Sequence, residues 1–132
     1  MVSADHGFMD VTEEKTIMLD KDILDCLSMP PAGESRYGYF YVVAEREKEF
    51  ETKMEQVLQG HGKLYKSYDL IEEGMFGLGS PHPELEHRLG DYTLIMKDGR
   101  IFDYPLFQSE HRHIGEHGGL SEDEMLVPLI FI

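Results

Sequence analysis

The amino-acid sequence predicts an α+β protein, with strands and helices mixed within 132 residues. A strand rich in aromatic and β-branched residues is followed at once by an amphipathic helix and a second strand, over residues 36 to 69. Apolar runs also lie near both ends of the chain. We therefore expect a lobe built on a strand–helix–strand unit, with the terminal runs serving as core strands of a larger sheet.

The first elements are short. Residues 1 to 4 are typical of the end of a buried strand. The run TIMLD at 16 to 20 fits either a short strand or the lead into a helix, and DKDILDCL at 20 to 27 predicts a short helix with Asp20 as its N-cap. Proline and glycine in MPPAGES at 29 to 35 predict a turn.

The strand–helix–strand unit has the clearest pattern. RYGYFYVVAE at 36 to 45 predicts its first strand, because aromatic and β-branched residues dominate. The segment from 45 to 62 predicts a helix that ends at Gly60. KLYKSYD at 63 to 69 predicts the second strand. One apolar stripe along the helix consists of Phe50, Met54, Val57 and Leu58.

Glycines punctuate the segment from 70 to 90, for which we expect a short helix and then a loop. The segment from 91 to 105 predicts a hairpin, because Asp98-Gly99 suits a type I′ turn between two apolar runs. A polar, histidine-rich loop is expected from 107 to 119.

The last segment combines a helix start with an apolar run. Ser121 and Glu124 have the spacing of a capping box. MLVPLIFI, from 125 to 132, is a continuous apolar run and predicts a strand covered on both faces. Both ends of the chain are thus predicted to belong to the core of a sheet.

Composition and charge restrict the classes of function. The net charge of −14 repels nucleic acid duplexes and anionic membranes. A phosphorylated substrate would need a local cation, for which a bound metal ion is the obvious candidate, and the alternative is that the charge only favours solubility. The single cysteine, Cys26, excludes an intrachain disulfide, and no apolar run reaches the length of a membrane span. We expect a soluble cytoplasmic protein.

Three residues could form a metal site. Asp5 and His6 follow the first predicted strand, and His117 lies in the loop before the last one. If these strands are neighbours, the three side chains meet on one rim, and carboxylate oxygen and imidazole nitrogen are ligands for zinc and similar ions. The alternative is that Asp5-His6 is a turn feature and that His111 and His113 are exposed loop residues.

Motifs at both ends resemble a known group of hydrolases. SADHGF at 3 to 8 and EHGGLSEDEMLVPLI at 116 to 130 resemble the alkaline phosphatase superfamily, most closely its nucleotide pyrophosphatase and type I phosphodiesterase branch. GMFG at 74 to 77 and LGDYTLIMKDG at 89 to 99 also resemble segments of its archaeal and bacterial members. The likeness covers the whole chain but only about the last third of such a protein.

The resemblance implies a C-terminal fragment of an alkaline-phosphatase-like α/β core that carries an inserted α+β lobe. Residues 1–11 and 107–132 would be core strands and metal-ligand loops, and residues 12–106 would be the inserted lobe. Asp5 and His6 match ligands of one metal ion, and His117 matches a ligand of a second ion.

The same resemblance implies two divalent metal ions in the full-length enzyme, with zinc as the expected ion. The substrate would be a phosphodiester, a nucleotide or a pyrophosphate, cleaved by phosphoryl transfer. This sequence contains no Asp-x-x-x-His motif and no segment for the nucleophilic Thr or Ser, so we expect no catalytic residue in this chain and no activity from it alone.

The alternative function is a non-catalytic binding or oligomerisation module derived from that family. Without neighbouring strands, the apolar runs at the two ends would expose sheet edges that recruit other chains. In either case we expect a homo-oligomer held together by these core strands.

Overall fold

The computed structural model describes residues 1–105 and 113–132, and it has the α+β composition that the sequence predicts. The elements in chain order are β1 (Val2–Ser3), β2 (Met9–Asp10), β3 (Thr16–Met18), α1 (Lys21–Leu24), β4 (Ala32–Glu34), β5 (Tyr37–Phe40), α2 (Glu47–Leu58), β6 (Gly62–Lys66), α3 (Ser67–Glu72), α4 (Leu85–Leu89), β7 (Tyr92–Met96), β8 (Ile101–Asp103), β9 (Gly115–Glu116), α5 (Glu122–Met125) and β10 (Leu129–Ile130). Short 3₁₀ turns lie at Glu13–Lys15 and Ala44–Arg46.

The largest sheet has four strands in the order β4-β5-β7-β6, and every neighbouring pair is antiparallel. The predicted strand–helix–strand unit is therefore confirmed as β5–α2–β6, with β7 inserted between its two strands. Helix α2 packs its apolar stripe against one face of this sheet, because the stripe recurs at helical spacing. The resulting core includes Phe40, Phe50, Met54, Leu58, Tyr92, Leu94 and Met96.

Local signals in the sequence explain several element boundaries. The Asp20 side chain accepts a hydrogen bond from the backbone N–H of Ile23 at 2.9 Å, which confirms the predicted N-cap of α1. Helix α2 ends at Leu58, and the next residue, Gln59, already has a left-handed backbone (φ 47°), followed by Gly60 (φ 87°). Cys26 is fully buried in the core.

Three predicted segments have a different extent or content in the structure. The turn predicted from 29 to 35 contains β4, which pairs with β5. The strand predicted from 63 to 69 ends at Lys66, because α3 begins at Ser67. The loop predicted before residue 90 includes the short helix α4. Ser67 is buried there, where its hydroxyl donates to the carbonyl oxygen of Leu89 at 3.1 Å.

The predicted hairpin between β7 and β8 is wrong. The turn itself is present, since Asp98 (φ 53°) and Gly99 (φ 63°) both have left-handed backbones. However, β8 pairs in parallel with β3, which is distant in sequence. The reason is that both edges of β7 are already occupied, by β5 on one side and β6 on the other.

The two ends of the chain meet in antiparallel pairs, β1 with β10 and β2 with β9. Strands β1 and β10 form a two-stranded ribbon that no described layer covers, and the assignment of both ends to the core of a larger sheet stays a prediction. Val2 is 49% exposed and Leu129 is 57% exposed. No helix in the described part of the chain is long and apolar enough to span a membrane.

Candidate metal centre

The paired ends bring two predicted ligands into contact. His6 lies in the loop between β1 and β2, and His117 directly follows β9. Because β2 pairs with β9, the two loops are neighbours, and the imidazole rings stack with their centroids 4.0 Å apart and an angle of 18° between the planes. The ring of Phe8 contacts both imidazoles edge-on, at centroid distances of 4.9 Å to His6 and 5.4 Å to His117.

A hydrogen bond fixes the orientation of the His6 ring. Its Nδ1 lies 2.9 Å from the carbonyl oxygen of Gly7, and since a carbonyl only accepts, this nitrogen carries the proton. In the neutral ring, the lone pair is therefore on Nε2. When a histidine binds a metal through one ring nitrogen, a hydrogen bond of this kind from the other nitrogen fixes its tautomer and ring orientation.

The third predicted ligand lies beside this lone pair. Oδ2 of Asp5 is 3.8 Å from Nε2 of His6, and the Asp5 side chain is 89% exposed. Two effects lower the pKa of Asp5 below its ordinary value: a hydrogen bond from the backbone N–H of Asp5 to its own carboxylate, and the positive charge of protonated His6. Asp5 is thus an ionised carboxylate next to an imidazole nitrogen that can bind a cation.

These donors fit part of a metal site. Within residues 1–105 and 113–132, no group of three or more His, Cys, Asp or Glu side chains could hold a metal ion by itself. The carboxylate and imidazole types suit zinc and related ions, but a tetrahedral zinc site takes four ligands. The set formed by Asp5, His6 and His117 therefore needs further ligands to bind an ion tightly.

Three further histidines make contacts away from this stack. His113 is an exposed residue whose Nδ1 lies 3.6 Å from a carboxylate oxygen of Glu116, and His61 pairs with Asp98 at 3.1 Å. Nδ1 of His82 accepts a hydrogen bond from the backbone of a nearby turn. His111, which the sequence places in the same loop, lies outside the described residues.

Glu124 connects the two histidine loops, a role that sequence reasoning missed. Its backbone carbonyl accepts a hydrogen bond from the N–H of Gly7 at 2.8 Å, next to His6. Its carboxylate accepts from the N–H of Gly119 at 2.9 Å, two residues after His117. One residue therefore fixes the position of both loops.

Glu124 also makes the predicted capping box, because its carboxylate accepts hydrogen bonds from the backbone N–H and the hydroxyl of Ser121. The spacing of Ser121 and Glu124 predicts this capping box, but the sequence does not predict the ion-pair partner of Glu124. The partner is Arg36, which precedes β5 and donates from Nη2 to the same carboxylate at 2.8 Å. The one sequence signal for this ion pair was a charged residue, Arg36, at the start of a segment dominated by aromatic and β-branched residues.

The ion pair is buried, and its hydrogen bonds determine how Glu124 ionises. Both side chains are 1% exposed, and Nη1 of Arg36 also donates to the carbonyl oxygen of Arg100 at 2.6 Å. Burial alone would raise the pKa of Glu124, but the hydrogen bonds from Arg36, Ser121 and Gly119 outweigh it and lower the pKa to about 2. Glu124 is thus a carboxylate at every pH near neutrality.

A cleft of about 750 Å³ begins at Phe8, beside the stacked imidazoles. Its volume is typical of a site for a small organic ligand. The cleft has apolar walls as well as cationic and anionic groups, contributed by Phe8, Met9, Asp10, Lys15, Arg36, Met96, Lys97, Asp98, Gly99, Leu120, Ser121 and Asp123. Phe8 is the residue that joins this cleft to the candidate centre, since it lines the cleft and contacts both imidazoles.

Two solved structures share this architecture. A structure of murine ectonucleotide pyrophosphatase/phosphodiesterase 5 superposes with a TM-score of 0.59 and 14% sequence identity, over 95% of this chain and 31% of that chain. The chain has the fold of part of that protein. An inactive variant of the same murine protein, in complex with AMP, matches with a TM-score of 0.57 over the same shares.

The match extends over less than one third of the murine protein, since this chain covers 31% of its length. At 14% identity, the likeness describes the fold and not the chemistry. No protein-family model matches the chain, and no curated protein matches it at a significant level.

Proposed function

We propose that this chain is the C-terminal part of a metal-dependent phosphodiesterase or nucleotide pyrophosphatase. One observation carries the proposal: His6 and His117, from opposite ends of the sequence, stack at 4.0 Å within the two motifs that resemble this branch of the alkaline phosphatase superfamily. The fold match to part of a nucleotide pyrophosphatase/phosphodiesterase supports it.

In the proposed enzyme, Asp5 and His6 hold one divalent ion and His117 contributes to a second, with zinc as the expected ion. When bound, such ions stabilise the negative charge that develops on phosphate oxygens during phosphoryl transfer. The residues of this chain orient the ligands, because Gly7 fixes the His6 tautomer and Phe8 packs against both imidazoles.

The lobe is proposed to hold the remainder of the substrate. Residues 12–106 contribute Lys15, Met96 and Lys97 to the cleft beside Phe8. In a chain with a net charge of −14, the two lysines are cationic groups at the place where a phosphorylated ligand would lie. The apolar wall suits a nucleoside or another organic group attached to the phosphate.

The nucleophile and the other metal ligands are proposed to come from the part of such an enzyme that this chain does not represent. The chain alone is then inactive and binds metal weakly. The second candidate, a non-catalytic binding or oligomerisation module, is favoured by the exposed ribbon of β1 and β10. An upstream reading frame that encodes a Thr nucleophile and an Asp-x-x-x-His motif favours the hydrolase, and a frame without them favours the module.

Calorimetric titration of the chain with zinc tests the ligand assignment. We expect weak binding, lost in His6→Ala and weakened about tenfold or more in His117→Ala, because each removes an imidazole ligand. His82→Ala is the matched control, since it removes an exposed histidine elsewhere and leaves zinc binding unchanged. Equal zinc affinities for all three variants would refute the assignment.

Turnover of a chromogenic phosphodiester with zinc or manganese tests the second part of the proposal. The isolated chain is expected to show none above the metal-only reaction. Robust turnover that disappears in His6→Ala would contradict the idea that the chain needs a further catalytic segment, while leaving the ligand assignment in place.

A further inference from the structure

Strand β6 has a free edge with unpaired backbone groups. It is the last strand in the order β4-β5-β7-β6, and no described strand pairs with its outer side. The residues just beyond its two ends bond toward β7. The carbonyl oxygen of His61 accepts a hydrogen bond from the N–H of Lys97 at 2.8 Å, and the N–H of Ser67 donates to the carbonyl oxygen of Asp91 at 3.0 Å. Hydrogen-bonding direction alternates along an antiparallel strand. The backbone groups of residues 62, 64 and 66 therefore point away from the sheet.

A groove of about 620 Å³ lies along this edge, between β6 and α2. Its helical wall is formed by Glu51, Glu55 and Leu58, which are spaced i, i+4 and i+7 and so lie on one stripe. On the strand side, Gly62 and Lys66 face the helix. A Cβ at Gly62 would lie 3.1 Å from the Leu58 side chain, and the Lys66 ammonium pairs with a carboxylate of α2.

The charges in the groove are unbalanced. Lys66 is paired with Glu47 at 3.0 Å, and the Lys63 ammonium lies 4.2 Å from the centre of the Tyr65 ring. Glu51 and Glu55 are exposed on the helical wall, and Asp69 adds a third carboxylate at the end of the groove.

The Tyr92 hydroxyl oxygen lies 2.8 Å from a carboxylate oxygen of Glu47 and 2.6 Å from one of Glu51, and its single proton donates to one of these two acceptors at a time. Burial, followed by these two carboxylates, raises the pKa of Tyr92, so its hydroxyl remains a donor. The groove thus presents carboxylates, of which Glu51 is in contact with Tyr92, beside a row of outward-facing backbone groups.

We propose that the groove between α2 and β6 binds an extended basic peptide segment of another protein, which adds to β6 as a fifth strand. Backbone hydrogen bonds to residues 62, 64 and 66 provide the strand pairing. Alternate residues of a strand repeat about every 6.6 Å. Glu51 and Glu55 are separated by about 6 Å along the helix axis. Lys or Arg at alternate positions of the segment therefore match the two carboxylates.

A second copy of this chain is a poorer occupant. Pairing β6 with the β6 of another molecule would bring a second Glu51–Glu55 stripe next to the first, in a protein that already carries a net charge of −14. Like charges placed directly opposite each other destabilise a strand pair. A basic segment has the opposite charge and avoids this repulsion.

Calorimetry with a blocked peptide of sequence Thr-Lys-Val-Lys-Val-Lys-Thr and the complete chain tests the charge requirement. We expect a Kd of about 10 to 100 μM, in the range of single-strand addition. Replacement of the three lysines of the peptide by glutamate should abolish binding. In the protein, Glu55→Gln should weaken binding about fivefold, whereas Glu45→Gln, which makes the same charge change outside the groove, should not. Equal binding of the acidic and basic peptides overturns the proposal.

A pair of variants at residue 66 tests the strand addition. The φ of Lys66 is −68°, which proline adopts without strain, and its N–H points away from the sheet, so Lys66→Pro removes one outward donor. Lys66→Gln removes the same charge but keeps the N–H. We expect the proline variant to bind the basic peptide about tenfold more weakly than the glutamine variant, with similar thermal unfolding of the two. Equal affinities overturn strand addition.

The oligomeric state of the peptide-free protein tests whether a second copy of the chain occupies the groove instead. A dimer that dissociates in Lys66→Pro and persists in Lys66→Gln would assign the groove to a second copy and overturn the peptide proposal. This inference does not depend on the metal site, which lies on other elements.

Discussion

Arg36 and Glu124 form a fully buried ion pair between residues that lie 88 positions apart in the sequence. Arg36 precedes the central strand β5 of the four-stranded sheet, and Glu124 holds the loops that carry His6 and His117. The pair therefore attaches the candidate metal centre to the four-stranded sheet of the lobe. Its removal should affect both stability and the position of the histidines.

Glu124→Gln is expected to reduce the free energy of unfolding by about 3 kcal/mol, because it leaves the buried guanidinium of Arg36 without a counter-charge. Urea denaturation measures this loss. In the double variant Arg36→Met with Glu124→Leu, the loss should be smaller than the sum of the single losses, since no unpaired charge remains. Strictly additive losses would show that the two side chains are not coupled.

Acid should destabilise the protein through the same carboxylate. The pKa of Glu124 is about 2 in the folded protein and about 4.3 in an unfolded chain, so its contribution is complete above pH 5 and is lost as the pH falls toward 2. We expect the urea midpoint to drop over this window and the drop to be smaller in Glu124→Gln. Hydrogen bonds from Arg46 and Lys53 also lower the pKa of Glu49 to about 2. Glu49 is exposed, however, so Glu49→Gln should leave most of the drop in the urea midpoint intact.

Gly7→Ala should disturb the candidate site directly. A Cβ at Gly7 would lie 1.8 Å from the carbonyl oxygen of Asp123, so the backbone must move and the hydrogen bond from Gly7 to Glu124 must break. We expect a loss of about 2 kcal/mol in stability and weaker zinc binding. Gly115→Ala is the control, because a Cβ at Gly115 would meet a carbon of the Phe8 ring at an ordinary van der Waals distance of 3.7 Å. Similar behaviour of the two variants would contradict a tight fit at Gly7.

Local interactions were predictable from the sequence, since each depends on residues a few positions apart. The cap at Asp20, the capping box of Ser121 and Glu124, and the apolar stripe of α2 are all present. The pairing of β8 was not predictable in this way, because it depends on β5 and β6 occupying both edges of β7. Apolar runs at the two ends indicate that burial is favourable, but they do not specify a covering layer.

The candidate site was predictable only in part, for a related reason. Asp5, His6 and His117 were identified by residue type and by motifs that resemble a known superfamily, and the structure brings them to one rim. The buried pair of Arg36 and Glu124 was not identified, because a pairing across the chain leaves no periodic pattern in either segment. Long-range positioning residues of this kind become visible only when the fold is known.

The exposed ribbon of β1 and β10 should cause self-association. Val2 and Ile130 are paired on one face of the ribbon and are 49% and 52% exposed, while Leu129 on the opposite face is 57% exposed and Phe131, just after β10, is 77% exposed. Exposed apolar sheet surface recruits other chains, so sedimentation velocity should show dimers or larger species that increase with concentration. Leu129→Lys should shift the distribution toward monomer, whereas Leu78→Lys, at a fully exposed leucine outside the ribbon, should not. A monomer at high protein concentration would contradict this prediction.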